Sequence, residues 1–348
     1  MNICIIINTP AQVHFYKNII KKLEYKGHNI IILARNYGIT ANLLDELKIN
    51  YNKFNLITNS PLMTALSFPL DLFNIYRMLH NKKIDFILGF GMYDVFASKL
   101  THSKSIVFYD SEPKINPFLN LQYKVFMPFV DSFISPSSFR ENLGKKHIKI
   151  NSYKELAYLH PKYYRPNNNI FDLLNISSSE EYIIMRFNNF DALHDVSKKG
   201  FSLSEKIELV NELSKYIKIY ISFEGRIPAE LQEYKLTIPK SRIHDLLFFS
   251  KLLITDTQTI ATEAAILGTP VIRKNSFVGK GDMGNFIELE NKYNLIYNLT
   301  NIKDVIKIST KIILDKNIKN IWREKREKLL KDKLDIVDFM VEYIEHHL

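Results

Sequence analysis

The chain has 348 residues, of which 46% are hydrophobic and 24% are charged, and its formal net charge is +10. The length suggests about two domains, and the composition excludes a disordered, collagen-like or low-complexity chain. Cys4 is the one cysteine, which excludes an intrachain disulfide, Cys-x-x-Cys redox chemistry and a four-cysteine zinc site. We expect Cys4 to lie in a buried strand and the protein to be cytoplasmic.

Short apolar runs alternate with helical patterns over the first half of the chain. The run MNICIIINTP has no basic region before it and no small-residue cleavage site, so it predicts a strand rather than a signal peptide. Strand-like runs are predicted at residues 3–7, 29–33, 85–88, 105–109 and 132–135. Near-continuous Ile/Leu/Val strands between amphipathic helices are typical of a parallel sheet covered on both faces.

The pattern pauses at residues 151–181, where Pro161, Pro166 and the run 167–169 predict an interdomain linker. It resumes with strands at residues 182–185, 217–222, 251–255 and 270–273, followed by helices near residues 301–331 and 335–347. We therefore predict an α/β protein of two doubly wound, Rossmann-like domains that face each other across a cleft. The predicted domains are residues 1–155 and 156–334, and the helix in residues 335–348 is a candidate to pack back on the first domain.

The strongest local signal is LLITDTQTIATEAAILGTPVIR at residues 252–273, which predicts strand, turn, helix, tight turn and strand. Asp256, Thr257 and Thr259 lie where the strand gives way to the helix, and amides and hydroxyls at a helix start form an anion site. Glu263 follows on the same helix and can accept two ribose hydroxyls. An ordinary capped unit, with Thr257 as the cap and Glu263 in solvent, fits the same residues.

The pattern Glu-Ala-Ala followed by Gly-Thr-Pro-Val resembles the donor-binding segment of GT-B glycosyltransferases and nucleotide-sugar 2-epimerases. In those families the segment's hydroxyls and backbone hold the diphosphate and its Glu holds the ribose. The resemblance therefore implies phosphate contacts for Thr257 and Thr259 and a ribose contact for Glu263. The families often have Gly at the turn, where this chain has Gln258, so the phosphate is expected to approach less closely.

Two further segments extend the resemblance over nearly the whole chain. They are NTPAQVHFYKNIIKKLEYKGHNIIILAR at residues 8–35 and YKELAYLHP at residues 153–161. Both are similar to a microbial family of the same superfamily, catalogued as domain of unknown function 354. The resemblance implies a GT-B-like fold and a nucleotide-sugar ligand.

His14 lies in the turn that opens the first predicted helix. In related glycosyltransferases a His in this loop faces the cleft, so the resemblance implies that His14 is a general base toward an acceptor hydroxyl. The ordinary pKa of His, near working pH, suits that role. A helix-capping or partly buried His is the alternative.

Three further residues are candidate donor ligands in the second half. Arg186 and Asn188 follow its first strand in MRFNNFDALHD, and His194 lies eight residues after Arg186 in the same segment. An Arg at a strand's carboxyl end can fork onto a diphosphate, and Arg186 would supply by charge what a Gly-rich loop supplies in glycosyltransferases. Arg273, beside the loop FVGKGDMGN, is a further phosphate contact. Ordinary loop residues are the alternative for Arg186 and His194.

Two strand ends in the first half carry other candidates. FYDSEP at residues 108–113 places Asp110 and Glu112 where they could contact acceptor hydroxyls or act as a base, although lone carboxylates at strand ends are more often structural. Gly89-Phe-Gly91 has part of a dinucleotide fingerprint, but its third position is Asp94, so we reject a nicotinamide site. A Gly-rich phosphate loop and a His-Glu-x-x-His metal motif are both missing from the sequence.

Two segments are candidates for membrane contact. Residues 54–70 are uncharged but too short to span a bilayer, and they could form an apolar lip for a lipid-linked acceptor. The helix predicted at residues 317–334 places apolar residues among many lysines and could lie on an anionic membrane surface. A helix packed on the second domain with a solvated basic side is the alternative that we favour.

Our leading hypothesis is metal-independent transfer of a sugar from a nucleoside diphosphate sugar to a lipid-linked or polysaccharide acceptor, with a role in cell-surface polysaccharide synthesis. His14 would deprotonate the acceptor, while Arg186, Arg273 and the helix start would stabilise the leaving diphosphate. We expect no cofactor.

Two other hypotheses remain open at this point. A nucleotide-sugar 2-epimerase would use Asp110, Glu112 and His194 as acid and base. A non-catalytic protein would bind a nucleotide sugar or a membrane surface. Nucleic acid is not expected as a partner, because no aromatic-interleaved basic stripe or reading module occurs.

Overall fold

The computed structural model describes residues 1–55, 61–115, 117–188, 200–223, 225, 227–279 and 281–347, with side chains from residue 66 onward in the helix that begins at Pro61. The chain forms two compact units. Unit 1 comprises Met1–Tyr158 and Leu334–Leu348, and unit 2 comprises Leu159–Lys333.

Unit 1 is built on a parallel sheet of order β3-β2-β1-β4-β5-β6-β7. Its strands are β1 (Asn2–Ile7), β2 (Asn29–Ala34), β3 (Asn52–Lys53), β4 (Phe86–Gly89), β5 (Lys104–Phe108), β6 (Ser132–Pro136) and β7 (His147–Ile150). Unit 2 has a parallel sheet of order β12-β11-β10-β8-β9. Its strands are β8 (Tyr182–Phe187), β9 (Lys218–Phe223), β10 (Leu252–Thr255), β11 (Val271–Arg273) and β12 (Ile296–Asn298).

Helices connect these strands and cover both sheets. In unit 1 they are α1 (Pro10–Tyr25), α2 (Thr40–Glu46), α3 (Pro61–Leu79), α4 (Met92–Leu100) and α5 (Pro117–Phe126). The short α6 (Leu156–Leu159) lies where the chain passes from unit 1 to unit 2. Unit 2 has α7 (Ile170–Leu173), α8 (Leu203–Leu213), α9 (Ile243–Phe249), α10 (Thr259–Leu267), α11 (Gly284–Asn291), α12 (Ile302–Leu314) and α13 (Ile318–Asp332), and the chain then returns to unit 1 as α14 (Ile336–His346).

The sequence of β1 explains why it lies at the centre of unit 1. Ile3, Cys4 and the three isoleucines that follow are completely buried, as a strand covered on both faces requires. Burial raises the pKa of the Cys4 thiol well above its usual range, which leaves it an inert packing group. The predicted buried position of Cys4 is confirmed.

The last helix, α14, packs against α1 in unit 1. Asp335 caps it by accepting the backbone N–H groups of Val337 and Asp338. Lys22 of α1 forms an ion pair of 2.5 Å with Asp338, and the apolar side of α14 is buried.

The interdomain linker predicted at residues 151–181 contains the boundary between the two units, which falls between Tyr158 and Leu159, but the interval is ordered. Residues 152–159 are buried, and α6 and α7 both lie inside the interval. Strands β3, β7 and β12 were missed, because they have two to four residues and carry polar side chains. Such short segments give little periodicity for a sequence to reveal.

The apolar side of α13 packs inside unit 2 rather than facing solvent. Ile318, Trp322 and Leu329 are buried, and the indole Nε1 of Trp322 donates to the carbonyl of Leu295 at 3.0 Å. The packed helix with a solvated basic side is therefore the correct alternative. Among the described helices, none is both long enough and apolar enough to cross a bilayer.

Candidate functional site

The carboxyl ends of β8 and β10 lie side by side in unit 2. Arg186 and Thr255 are partners in the register of these strands. The Thr255 hydroxyl donates to the carbonyl of Arg186 at 2.7 Å and accepts the backbone N–H of Thr257 at 3.0 Å. The fold thus brings together two of the predicted donor-binding segments.

Helix α10 begins at this edge with an open first turn. Thr259 is exposed, while Thr257 and Gln258 are half-buried. The first turn contains no acidic residue, and Gln258 occupies the N-cap position without a side-chain cap bond. Because the first amides of a helix have no intrahelical partner and lie at the positive end of its dipole, this turn can receive an anion. The expectation that Thr257 caps the helix is wrong.

Glu263 lies on the second turn of α10 and is only 8% exposed. Its Oε1 is 3.1 Å from Nε2 of His244, a buried residue of α9. The alternative of a solvated Glu263 is therefore wrong. His244 was not predicted from the sequence. The pattern that could have indicated it is a polar His-Asp pair near the start of an otherwise apolar helix.

Asp256 is buried at the same edge and binds the backbone of neighbouring segments. Its carboxylate accepts the backbone N–H groups of Asn188 at 2.8 Å and Phe201 at 3.3 Å, and its carbonyl accepts from the side chain of Asn275. Burial raises the pKa of Asp256 to about 6, although these hydrogen bonds and the charge of Lys206 lower it. These bonds favour a positioning role for Asp256 and place Asn188 beside the α10 turn.

Several cations surround this edge. Nη1 of Arg186 donates to the Ser222 hydroxyl at 2.5 Å, and Lys274 forms a 2.8 Å ion pair with Glu205. The ammonium of Lys206 lies 4.7 Å from the centroid of the Phe223 ring, and burial lowers its pKa. Lys206 was not predicted from the sequence. Its side chain lies on the buried face of α8.

Arg273 is completely buried and its contacts lie within unit 2. Its guanidinium pairs with Asp282, donates from Nε to Oδ1 of Asn298 at 2.9 Å and stacks 3.6 Å from the centroid of the Phe286 ring. Burial lowers the pKa of Arg273 to about 10. These contacts favour a structural role for Arg273, which joins the end of β11 to the start of α11. His194 lies outside the described residues.

In unit 1, the segment at residues 153–161 links two of the predicted catalytic positions. Lys154 forms an ion pair of 2.5 Å with Asp110 at the end of β5. Tyr158 stacks on the half-buried His14, with ring centroids 5.2 Å apart. The structure thus places His14 and Asp110 at the two ends of one short segment.

Glu112 is buried, and both of its carboxylate oxygens accept hydrogen bonds from Arg140. One carboxylate oxygen accepts the backbone N–H of Arg140 at 3.1 Å, and the other accepts its guanidinium Nε at 3.0 Å. This arrangement anchors the loop after β6, and it favours the structural reading of Glu112 over acid–base chemistry.

The turn after β4 explains the incomplete dinucleotide fingerprint. Both carboxylate oxygens of Asp94 lie 3.1 Å from the backbone N of Gly91. A Cβ at Gly89 would lie 2.4 Å from Cγ of Asp94, so only glycine fits there. The glycines thus leave room for an internal cap formed by Asp94.

Among the residues that the structure describes, His, Cys, Asp and Glu side chains form no group of three or more that could hold a metal ion.

Two parallel sheets with these strand orders, each covered by helices, define an α/β fold of the GT-B class. The chain belongs to the family described as "Protein of unknown function (DUF354)", which matches residues 1–347. The resemblance seen in the sequence is thereby confirmed. No curated protein matches the chain.

Solved structures share the fold at low sequence identity. A putative UDP-N-acetylglucosamine 2-epimerase from Listeria monocytogenes has a TM-score of 0.72 at 14% identity, covering 99% of this chain and 96% of its own. The S. aureus MnaA–UDP co-structure has a TM-score of 0.71 at 14% identity, with the same coverage. The glycotransferase of kitacinnamycin has a TM-score of 0.63 at 11% identity, covering 100% of this chain and 99% of its own.

Proposed function

We propose that this protein is a nucleotide-sugar enzyme that transfers a sugar from a nucleoside diphosphate donor to an acceptor hydroxyl. The observation that carries the proposal is the open first turn of α10, with Thr257 and Thr259 at its start and Glu263 on the next turn. Relatives in fold include enzymes named for UDP-N-acetylglucosamine and for glycosyl transfer, and one was solved with UDP.

The donor would bind unit 2 through its diphosphate and ribose. The first amides of α10 and the hydroxyls of Thr257 and Thr259 would hold phosphate oxygens, with Arg186 adding positive charge from β8. Glu263 would accept ribose hydroxyls while His244 keeps its carboxylate in place, because a carboxylate accepts several hydrogen bonds.

The transfer step would need a base and a stabilised leaving group. His14 would take the acceptor proton as the acceptor oxygen attacks the anomeric carbon, and the bond from that carbon to the diphosphate oxygen would break. The diphosphate would leave with the extra negative charge, held by the α10 amides and Arg186 rather than by a metal. The acceptor would be lipid-linked or a polysaccharide.

A thermal-shift panel of nucleoside diphosphates and their sugars tests the donor assignment. A ligand that binds only the folded protein raises its melting temperature, so one base should give a clear shift. Glu263→Gln should weaken that ligand at least tenfold, about 1.4 kcal/mol, because a neutral amide accepts ribose hydroxyls less well. The matched control is Glu327→Gln at an exposed site on α13, which should bind like the wild type. Equal affinity of wild type and Glu263→Gln would contradict the ribose assignment.

His14→Gln separates binding from chemistry. General-base catalysis contributes about 10²- to 10⁴-fold, so turnover should fall by that factor while the affinity for the donor stays unchanged. Parallel loss of donor affinity and turnover would instead indicate structural damage around the stacked Tyr158.

A 2-epimerase is the second candidate, because two of the structures with the same fold, at TM-scores of 0.72 and 0.71, are an epimerase and MnaA with UDP. In that case Asp110, which pairs with Lys154, would act as acid or base, and His194, outside the described residues, is a further candidate. Incubation of the donor alone distinguishes the two activities, since an epimerase changes the sugar without an acceptor. Donor binding without turnover in either assay would point to a non-catalytic binding protein.

A further inference from the structure

Unit 1 exposes a concentrated apolar surface on the helices α3 and α5. Eight of the sixteen large apolar side chains that are exposed in the described residues lie on these helices and the turn after α5. We call them the apolar face: Leu66, Leu70, Phe73, Tyr76, Phe118, Leu121, Val125 and Phe129. Soluble proteins expose such side chains singly, and a cluster of this size marks an interaction site.

Helical spacing aligns these residues on one side of each helix. Leu66, Leu70 and Phe73 follow each other at four and three residues, as the outward side of α3 requires. Phe118, Leu121 and Val125 repeat the pattern on α5 at three and four residues. Leu66, Leu70 and Leu121 are 65%, 61% and 60% exposed, so more than half of the surface of each residue is accessible.

The two helices belong to one layer on one face of the sheet. The connections from β3 to β4, from β4 to β5 and from β5 to β6 all advance in the same direction across the sheet. Because such crossovers are right-handed, α3, α4 and α5 lie on the same face of the sheet. Aromatic contacts of Phe96 on α4 connect α3 with the turn after α5. Phe96 lies 6.0 Å from Phe68 of α3 and 5.6 Å from Phe129, measured between ring centroids.

Cations outnumber carboxylates on the exposed surface of this layer. Exposed cations on the three helices and the turn before α5 are Arg77, Lys99, Lys114 and Lys124. The carboxylates on the helices, Asp71 and Asp94, are both buried, and the exposed Asp85 and Asp131 lie in the turns that follow α3 and Phe129. Lys99 is paired with Asp131 at 2.9 Å, which leaves three cations at the rim outside that pair.

We propose that the apolar face docks on an anionic lipid bilayer, with its Leu and Phe side chains inserted at the interface and Arg77, Lys114 and Lys124 against the headgroups. Amphipathic surfaces with an apolar side and a basic rim bind membranes in this way. A second copy of the chain fits less well, because a two-fold contact would bring this cationic face against itself. The docking site is in unit 1, so α13 of unit 2 is not required for it.

Vesicle co-sedimentation tests the proposal without any substrate, so its outcome is independent of the proposed catalytic function. The full chain should sediment with vesicles of phosphatidylglycerol and phosphatidylcholine, and at least tenfold less with phosphatidylcholine alone. Leu70→Ser combined with Phe73→Ser should lower the partition coefficient on the anionic vesicles at least tenfold. The matched control is Leu314→Ser in unit 2, where a leucine is also 61% exposed, and it should bind like the wild type.

A second measurement reports insertion directly. Phe73→Trp should be quenched by lipids brominated along their chains, whereas the buried native Trp322 should contribute a constant background. Lys328→Gln combined with Lys331→Gln on α13 should leave sedimentation unchanged.

Three results would overturn the proposal. The first is no sedimentation with anionic vesicles at low salt. The second is loss of binding in the α13 variant while the apolar-face variant still binds. The third is a dimer, seen by light scattering, that the Leu70→Ser and Phe73→Ser changes dissociate in a protein that ignores vesicles.

Discussion

The starts of α4 in unit 1 and α10 in unit 2 are equivalent strand-to-helix turns with opposite electrostatics. The third residue of α4 is Asp94, whose carboxylate is buried against the amide of Gly91. The third residue of α10 is Ala261, and its first turn contains no acid. One helix start is therefore filled by a carboxyl group of its own chain, and the other can accept an external anion.

The comparison of the two turns shows that glycines in a strand-to-helix turn do not by themselves indicate a nucleotide site. Gly89 and Gly91 look like half of a nucleotide fingerprint, yet the space above Gly89 holds Asp94. The turn before α10 contains no glycine, and it is the one with an open helix start. An acidic residue in the first turn of the helix fills the place that a phosphate would occupy.

Asp94 should make unit 1 less stable as pH rises. Burial raises the pKa of Asp94 to about 7, so the folded state holds a proton that the unfolded chain has released. The stabilisation is complete below the unfolded pKa near 4 and is lost as pH rises through 7, for a total of up to about 4 kcal/mol. Unfolding by denaturant from pH 4 to 8 should show this slope in the wild type and a flatter profile in Asp94→Asn. Identical profiles would mean that Asp94 keeps an ordinary pKa.

Gly89→Ala should destabilise unit 1 by about 3 kcal/mol. The added Cβ would lie 2.4 Å from Cγ and Oδ1 of Asp94, which combines overpacking with loss of the internal cap. The free energy of unfolding measures the effect.

Two controls accompany Gly89→Ala. Gly281→Ala has no atom within 4 Å of its new Cβ and should be nearly neutral. The double change Gly89→Ala with Asp94→Ala should cost less than the sum of its single changes, because the clash disappears with the carboxylate. Strict additivity would show that the two residues do not interact.

Thr259→Asp should weaken anion binding at the start of α10 by charge repulsion. A carboxylate on its first residue would oppose a phosphate there, so nucleoside diphosphate affinity should fall about tenfold, or about 1.4 kcal/mol. Thr259→Asn has nearly the same shape without the charge and should stay within about threefold, on the scale of a single neutral hydrogen bond. Calorimetric titration with the diphosphate found by thermal shift gives both values. Equal losses in both variants would assign the effect to shape rather than to charge.

The sequence predicted the long, apolar elements and the class of fold because their periodicity is strong. The edges of the sheets were missed, since β3 and β12 have two and three residues. The same limit applies to the site. Thr259 and the helix around it follow from local pattern, whereas the partners of Arg273 and Glu263 come from residues 9 and 19 positions away whose proximity only the fold creates.

The return of α14 to unit 1 has a consequence for how the protein is made. Residues of unit 2 leave the ribosome as one uninterrupted block, so its sheet can close while synthesis continues. Unit 1 begins first but keeps the surface of α1 uncovered until α14 emerges some 300 residues later. During that interval the side of α1 that α14 covers stays exposed, so unit 1 can be completed only after the last helix has been synthesised.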